Sequence, residues 1–225
     1  MYSFQEGLPT KLRIIQAVDR PLEELSVNEI CQKAGVSRQT FYNHFEGKHQ
    51  LIAWWGIWVD SLYLDNIGRT LTWEEGYLRS AHLLAWGKPF MTSAFAHGEP
   101  LNQFCGHPVA RQRVATLSQA VTERTGSKPD PDLLFCIKAF SHVECEHTIG
   151  CYKEGHSKTS LIYAKQIVSL IPPLLYDTLQ LPEAKQRTQR ENFALMDEIE
   201  ARLQDEFDPA TIMNQEILRS RSSAS

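Results

Sequence analysis

Several chemistries are missing from this chain of 225 residues. It has no glycine-rich phosphate loop and no Gly-x-Ser-x-Gly elbow, so neither nucleotide cradling nor a hydrolase nucleophile is signalled, and an enzyme is not expected. No stretch alternates apolar and polar residues with β-branched side chains, so no strand is expected. The longest apolar run, Leu51 to Val59, is nine residues and stops at Asp60, too short to span a bilayer. The opening Met-Tyr-Ser-Phe-Gln-Glu has no charged region leading into an apolar one, so no secretory signal is expected and the compartment is taken as the cytoplasm. There is no pair of Cys-x-x-Cys sequences, and the five cysteines (Cys31, Cys105, Cys136, Cys145 and Cys151) are expected as reduced thiols. A basic excess is also lacking. The net charge of −4 argues against a protein that coats nucleic acid by bulk electrostatics.

What is present is a compact pattern between Leu25 and Leu51. Val27, Ile30, Cys31 and Ala34 fall at i, i+3, i+4 and i+7, giving one apolar helical face. Ser26 is placed to cap that helix, and Glu29 three residues on completes a capping box. Gly35 can end it in a left-handed conformation that costs glycine nothing. Ser37 then caps a second helix whose Phe41 and Phe45, at i and i+4, turn two rings inward. Arg38, Gln39, Thr40, Tyr42, Asn43 and His44 are left outside. A helix-turn-helix needs this division, because the first helix braces the second while the second lies in the major groove of DNA. A bundle that merely packs does not require so polar an outer row.

These residues resemble the tetracycline-repressor (TetR) family: Ser26-Val27-Asn28-Glu29-Ile30, then Ala34-Gly35-Val36-Ser37-Arg38-Gln39-Thr40-Phe41-Tyr42-Asn43-His44-Phe45, then Lys48 and Leu51. The likeness covers roughly the first fifty residues. The short connection from Ala17 to Ser26, with Pro21 in it, is similar to the branch that includes the dihydroxyacetone-kinase regulators. The resemblance implies an all-α protein, with a three-helix DNA-binding bundle at 1–50, a larger helical ligand-binding and dimerisation domain at 51–219, and a small-polar tail at 220–225 expected to be disordered. Arginine pairs bidentately with guanine and glutamine with adenine, so Arg38 and Gln39 at the helix start are expected to read base edges. Ser37, Thr40, Asn43 and His44 complete the DNA-facing set. By resemblance Tyr42 and Lys48 hold the phosphate backbone, and Ser26 does so from the bracing helix.

Beyond the motif the chain reads as helices throughout. One begins near Lys48 and carries Leu51, Trp55, Trp58 and Leu62; another opens at Thr72 with Glu75 as a capping box and closes at Gly87 and Pro89. A short apolar helix follows at Phe90 to Ala96, then a Gly-Pro loop through Cys105, Gly106 and Pro108. Further helices are expected at 111–125, 132–153 and 157–181, the last kinked or broken by Pro172-Pro173. An added amphipathic helix with Phe193, Met196, Ile199, Leu203 and Phe207 is expected to pad a dimer face, cover a pocket or lie on its own domain.

The second domain is rich in rings. As a candidate effector site the expected set is Tyr77, His82, Trp86, Phe90, Phe104, Phe140 and His147, since pockets between helices are lined by rings with a few polar groups. The competing expectation for each ring is a place in the core. His142 with Glu146, and His147 with Cys151, have i, i+4 spacing that a metal can use, although a hydrogen-bonded pair satisfies the same spacing. No cofactor is assigned. The function expected is that of a ligand-released repressor, binding a palindromic operator on double-stranded DNA as a homodimer and responding to a small-molecule effector. The alternatives are a metal- or redox-sensing regulator and a helical protein-interaction module.

Overall fold

Hydroxyl side chains set where the helices start. In the computed structural model, which describes residues 7–95, 99–153, 159–206, 208, 211, 212 and 214–216, the side chains of Ser26, Ser37, Thr72, Thr159 and Thr188 each accept from the backbone N–H three residues on. Each thereby satisfies one donor that the first helical turn leaves without an internal partner.

The described residues form twelve α-helices: α1 (Leu8–Gln16), α2 (Val27–Ala34), α3 (Arg38–His44), α4 (Gln50–Leu62), α5 (Trp73–Trp86), α6 (Lys88–Phe95), α7 (Glu99–Thr125), α8 (Pro131–Lys153), α9 (Ser160–Ser169), α10 (Pro173–Leu179), α11 (Gln189–Ala194) and α12 (Met196–Glu206). No strand occurs among them, as the missing alternation predicts.

Two apolar cores lie along the chain. The first joins α1, α2 and α3 to Leu51, Trp54, Trp55 and Trp58 of α4, with Phe90 and Met91 of α6 behind them. The second gathers Trp73, Tyr77, Leu117, Phe140, Ile167, Tyr176 and Leu203 from α5, α7, α8, α9, α10 and α12. Trp54 and Trp58 stack with centroids 5.8 Å apart, and the edge of Trp73 meets Phe140 at 6.0 Å. Such rings bury large apolar areas and lock α4 and α5 in their places.

Three expectations change. The Gly-Pro loop at 105–108 is instead interior to α7, whose helix runs through Pro108. A proline removes one backbone bond there, but Ala110, Arg113, Leu117, Ala120 and Val121 beyond it are all buried, and that packing outweighs the local signal. Thr72 caps α5, yet no capping box forms, because the Glu75 carboxylate accepts from Arg202 of α12 at 3.0 Å. The added C-terminal helix is two helices, α11 and α12, meeting at Leu195. Met196 and Leu203 are buried in the second core with Phe193 and Ile199 packed on it, so this segment lies on its own domain. Phe207 and the tail at 220–225 lie outside the described residues. The double proline acts as expected: α9 stops at Ser169 and Pro173 starts α10, where a missing N–H does no harm.

Candidate nucleic-acid interface and cavity

The turn between α2 and α3 is built from short-range chemistry. Ser26 Oγ accepts from the Glu29 N–H at 3.2 Å, and the Glu29 carboxylate accepts from the Ser26 N–H at 2.9 Å. Gly35 has φ +63°, the left-handed region that glycine alone enters freely. Ser37 Oγ accepts from the Thr40 N–H at 2.9 Å. Below, Phe41 and Phe45 are fully buried with centroids 5.7 Å apart, and Phe45 meets Trp54 of α4 edge-on at 5.9 Å.

Above them, Ser37, Arg38, Gln39, Tyr42 and Asn43 are exposed, while Thr40 and His44 are half-buried. The Arg38 guanidinium lies 5.9 Å from the Tyr42 ring centroid, and Gln39 Nε2 donates to Asn43 Oδ1 at 2.9 Å. These contacts line the polar groups along one face of α3. His44 sits at the rim, against the start of α1. A Cβ built on Gly7, itself at φ +68°, would fall 2.3 Å from His44 Cε1, so glycine is required there to admit the ring.

Lys48, expected to hold a phosphate, is engaged by the chain itself. Its Nζ donates to the carbonyls of Leu22, Glu23 and Leu25 at 2.7, 3.1 and 3.0 Å, and its side chain is 19% exposed. The short turn at Leu22–Glu24 leaves carbonyls that a cation satisfies well. Lys48→Met is therefore expected to lower folding stability by about 1–3 kcal/mol. Chemical denaturation of the variant measures this; an unchanged midpoint with uniformly weaker DNA binding would restore the phosphate role.

The Glu29 carboxyl is held at about 2, down from 4.5, by the backbone and hydroxyl hydrogen bonds from Ser26 and by Arg20. Its folded-state value lies below the unfolded one, so its stabilising contribution is whole above pH 4.5 and drains away as the pH falls towards 2. Glu29→Gln should flatten the fall in melting temperature across that window. Parallel melting curves for the two proteins would refute this.

A cavity of about 70 Å³ opens between α4, α5, α6, α7, α8 and α9. One wall is ionic. Arg113, 1% exposed, donates from Nε to Glu144 Oε2 at 3.2 Å, from Nη1 to the Leu64 carbonyl at 3.1 Å and from Nη2 to Tyr77 Oη at 3.2 Å, and Tyr77 Oη donates to Glu144 Oε1 at 2.5 Å. Burial works against the Arg113 cation, but Tyr77, Glu144 and Asp60 outweigh it and hold it charged. Asp60 borders the cavity; removal from water, and then the Glu144 charge, push its carboxyl well above the usual range against the pull of Arg113. Burial likewise pushes the Cys145 thiol up, which makes it a poor thiolate.

The expected effector residues do not line this cavity as a set. Tyr77 reaches it through Glu144. Phe90 packs on Trp55, and Phe140 sits among Trp73 and Tyr77 in the second core. His82 Nε2 is 2.8 Å from Glu200 Oε2, joining α5 to α12. His147 Nε2 is 3.2 Å from Gln166 Oε1 and 3.6 Å from Cys151 Sγ, with its ring on Tyr163. The side chains of Trp86 and Phe104 lie outside the described residues. Ring-counting missed Asp60, Ser80, Arg113 and Glu144, which stand at the cavity instead. A charged residue at a core position of a helical stripe was the available signal for Arg113 and Glu144.

Among the described residues no group of three or more His, Cys, Asp or Glu side chains is arranged to hold a metal ion, and no helix is long and apolar enough to cross a membrane.

No curated protein matches the chain. Among solved structures, RolR without ligand is similar at 18% identity and a TM-score of 0.42, over 79% of this chain and 97% of that one. Residues 16–53 match the bacterial regulatory proteins of the tetR family. That match spans α2, α3 and the start of α4, the segment whose caps, turn and outer row are described above, so the N-terminal helix-turn-helix of this chain is similar to that of the tetR family.

Proposed function

We propose that this transcriptional regulator binds a palindromic operator as a homodimer and releases it when a small molecule enters the second domain, with residues 1–50 as the reading module and 51–219 as the effector and pairing module. The observation that carries the reading is the division of α3: buried Phe41 and Phe45 beneath exposed Arg38, Gln39, Tyr42 and Asn43. Arg38 and Gln39, at the first turn, have the chemistry to read guanine and adenine edges, and the remaining polar groups suit phosphates. Charge around α3 is balanced, so two reading helices acting together supply what one cannot. Support for pairing comes from apolar side chains left in water on α8, α9 and α10: Phe135 at 72% exposure, with Val143, Ile162 and Leu174.

Helix α4 is the element that couples the two ends. Its Trp54 meets Phe45 of α3, while Gly56 and Asp60 on the same helix wall the cavity. A ligand that favours one placement of α4 over another biases the reading helices, and coupling of this kind is reciprocal.

The test is Arg38→Ala. It is expected to cost about 1–3 kcal/mol on the specific operator and to relax preference at one base position. Arg38 is exposed, so the melting temperature should hold. Affinity measured across operator variants decides; unchanged affinity and unchanged base preference would remove α3 from the interface.

A further inference from the structure

The cavity beside α4 is bordered by two carboxyls, Asp60 and Glu144, and one guanidinium, Arg113. Glu144 is matched, since Arg113 Nε and Tyr77 Oη both donate to it, and the other donors of Arg113 go to Leu64 O and Tyr77 Oη. Asp60 is not matched. Its carboxyl borders the same space and makes no hydrogen bond or ion pair with any described residue, while the charged groups that act on it are Glu144 from α8, Arg113 from α7 and Asp65 beyond the end of α4. A second polar group is also left over. Ser80 on α5, 1% exposed, presents an Oγ with no partner among the described residues, and it too lines the cavity. A buried hydroxyl without a partner is costly and is ordinarily satisfied by something, and the half-buried Asp60 carboxyl beside it is open to the same occupant. The rest of the wall is apolar, with Ile52, Leu84, Met91 and Ile149.

We propose that this cavity takes a small organic cation, a primary ammonium on a short apolar body, with Asp60 as its counter-ion and Ser80 Oγ as a second acceptor. This rests on the reading of the second domain as an effector domain and names the ligand's chemistry. Two carboxyls and one guanidinium border the same space, so an ammonium placed there meets in Asp60 a second carboxyl that can ionise against it, and charge-assisted bonds of this kind are strong. An anionic ligand would instead meet Asp60 and Glu144 together. A neutral one leaves the Asp60 carboxyl to satisfy itself by taking up a proton, the direction in which burial already drives it. The volume of about 70 Å³ limits the ligand to a small molecule.

The experiment titrates the full chain at pH 7 with two isosteric series, butylamine, butan-1-ol and butyrate, and benzylamine, benzyl alcohol and benzoate, followed by NMR. In at least one series the amine should bind about tenfold or more tighter than its alcohol, and the carboxylate should not bind. Asp60→Asn should bring the amine down to the alcohol's level, and Ser80→Ala should weaken the amine by a smaller factor. The side-chain carboxyl carbon of Asp60 in labelled wild-type protein should move to its ionised position as the amine is added, a readout that does not depend on any variant folding. An alcohol equal to or tighter than its amine, or an Asp60 carbon that stays put while the amine binds, overturns the cationic assignment and leaves the cavity as an effector site. Failure of every probe in both series overturns the effector-site reading along with it.

Discussion

Arg113→Met should destabilise the protein by about 3–5 kcal/mol, the penalty for removing one partner of a buried ion pair. The guanidinium is 1% exposed, and it neutralises Glu144 while also donating to Tyr77 Oη and Leu64 O. Without it the Glu144 carboxylate keeps only the Tyr77 hydroxyl in an apolar interior, with Asp60 nearby as a second carboxyl. Methionine fills much of the volume, so the loss is electrostatic and not a cavity effect. The double variant Arg113→Met with Glu144→Gln should recover much of that loss, because the uncompensated charge is gone. Urea unfolding at pH 7 measures both. A single variant within about 1 kcal/mol of wild type would mean that the pair is not buried as described.

The second large effect concerns pairing. Phe135 on α8 is 72% exposed, an unusual place for a large ring. If it anchors a twofold interface together with Val143, Ile162 and Leu174, Phe135→Glu should turn the proposed dimer into a monomer, with a loss of about 2 kcal/mol or more at the pairing step. Operator affinity should fall with it, since half-site spacing is set by the dimer. The monomer's own fold should change little, because exposed positions tolerate substitution within about 0.5 kcal/mol. Light scattering beside an operator titration reads both quantities. A Phe135→Glu protein that remains dimeric and binds normally places the interface elsewhere.

The helix-turn-helix was legible from residues alone. Ser26 with Glu29, Gly35, Ser37, and Phe41 with Phe45 act on one another across three or four positions, and local spacing states such contacts directly. The all-α class followed for the same reason, since helical periodicity and caps are short-range. Lys48 was harder. Its three carbonyl partners lie 23 to 26 positions back, and nothing in its own neighbourhood distinguishes a lysine facing phosphate from one closing a turn.

The candidate effector site shows the limit most clearly. Phe140 and His147 on α8 share the periodicity of Glu144 between them, yet Phe140 is core, His147 pairs with Gln166, and Glu144 stands at the cavity. Spacing on a helix says which side chains share a face; what that face meets depends on elements far away in the chain. Tyr77 and Glu144 meet across 67 positions, and Arg113 and Glu144 across 31. The path of α7 through Pro108 was likewise decided by the burial of Ala110, Arg113 and Leu117, not by the breaker residues themselves. What the chain determined by itself is therefore the helical class and the helix-turn-helix, because caps, glycine conformation and ring pairs act within a few residues. What only the tertiary structure decided is which side chains surround the cavity and how their charges pair, because those contacts join six helices whose mutual placement no local pattern encodes.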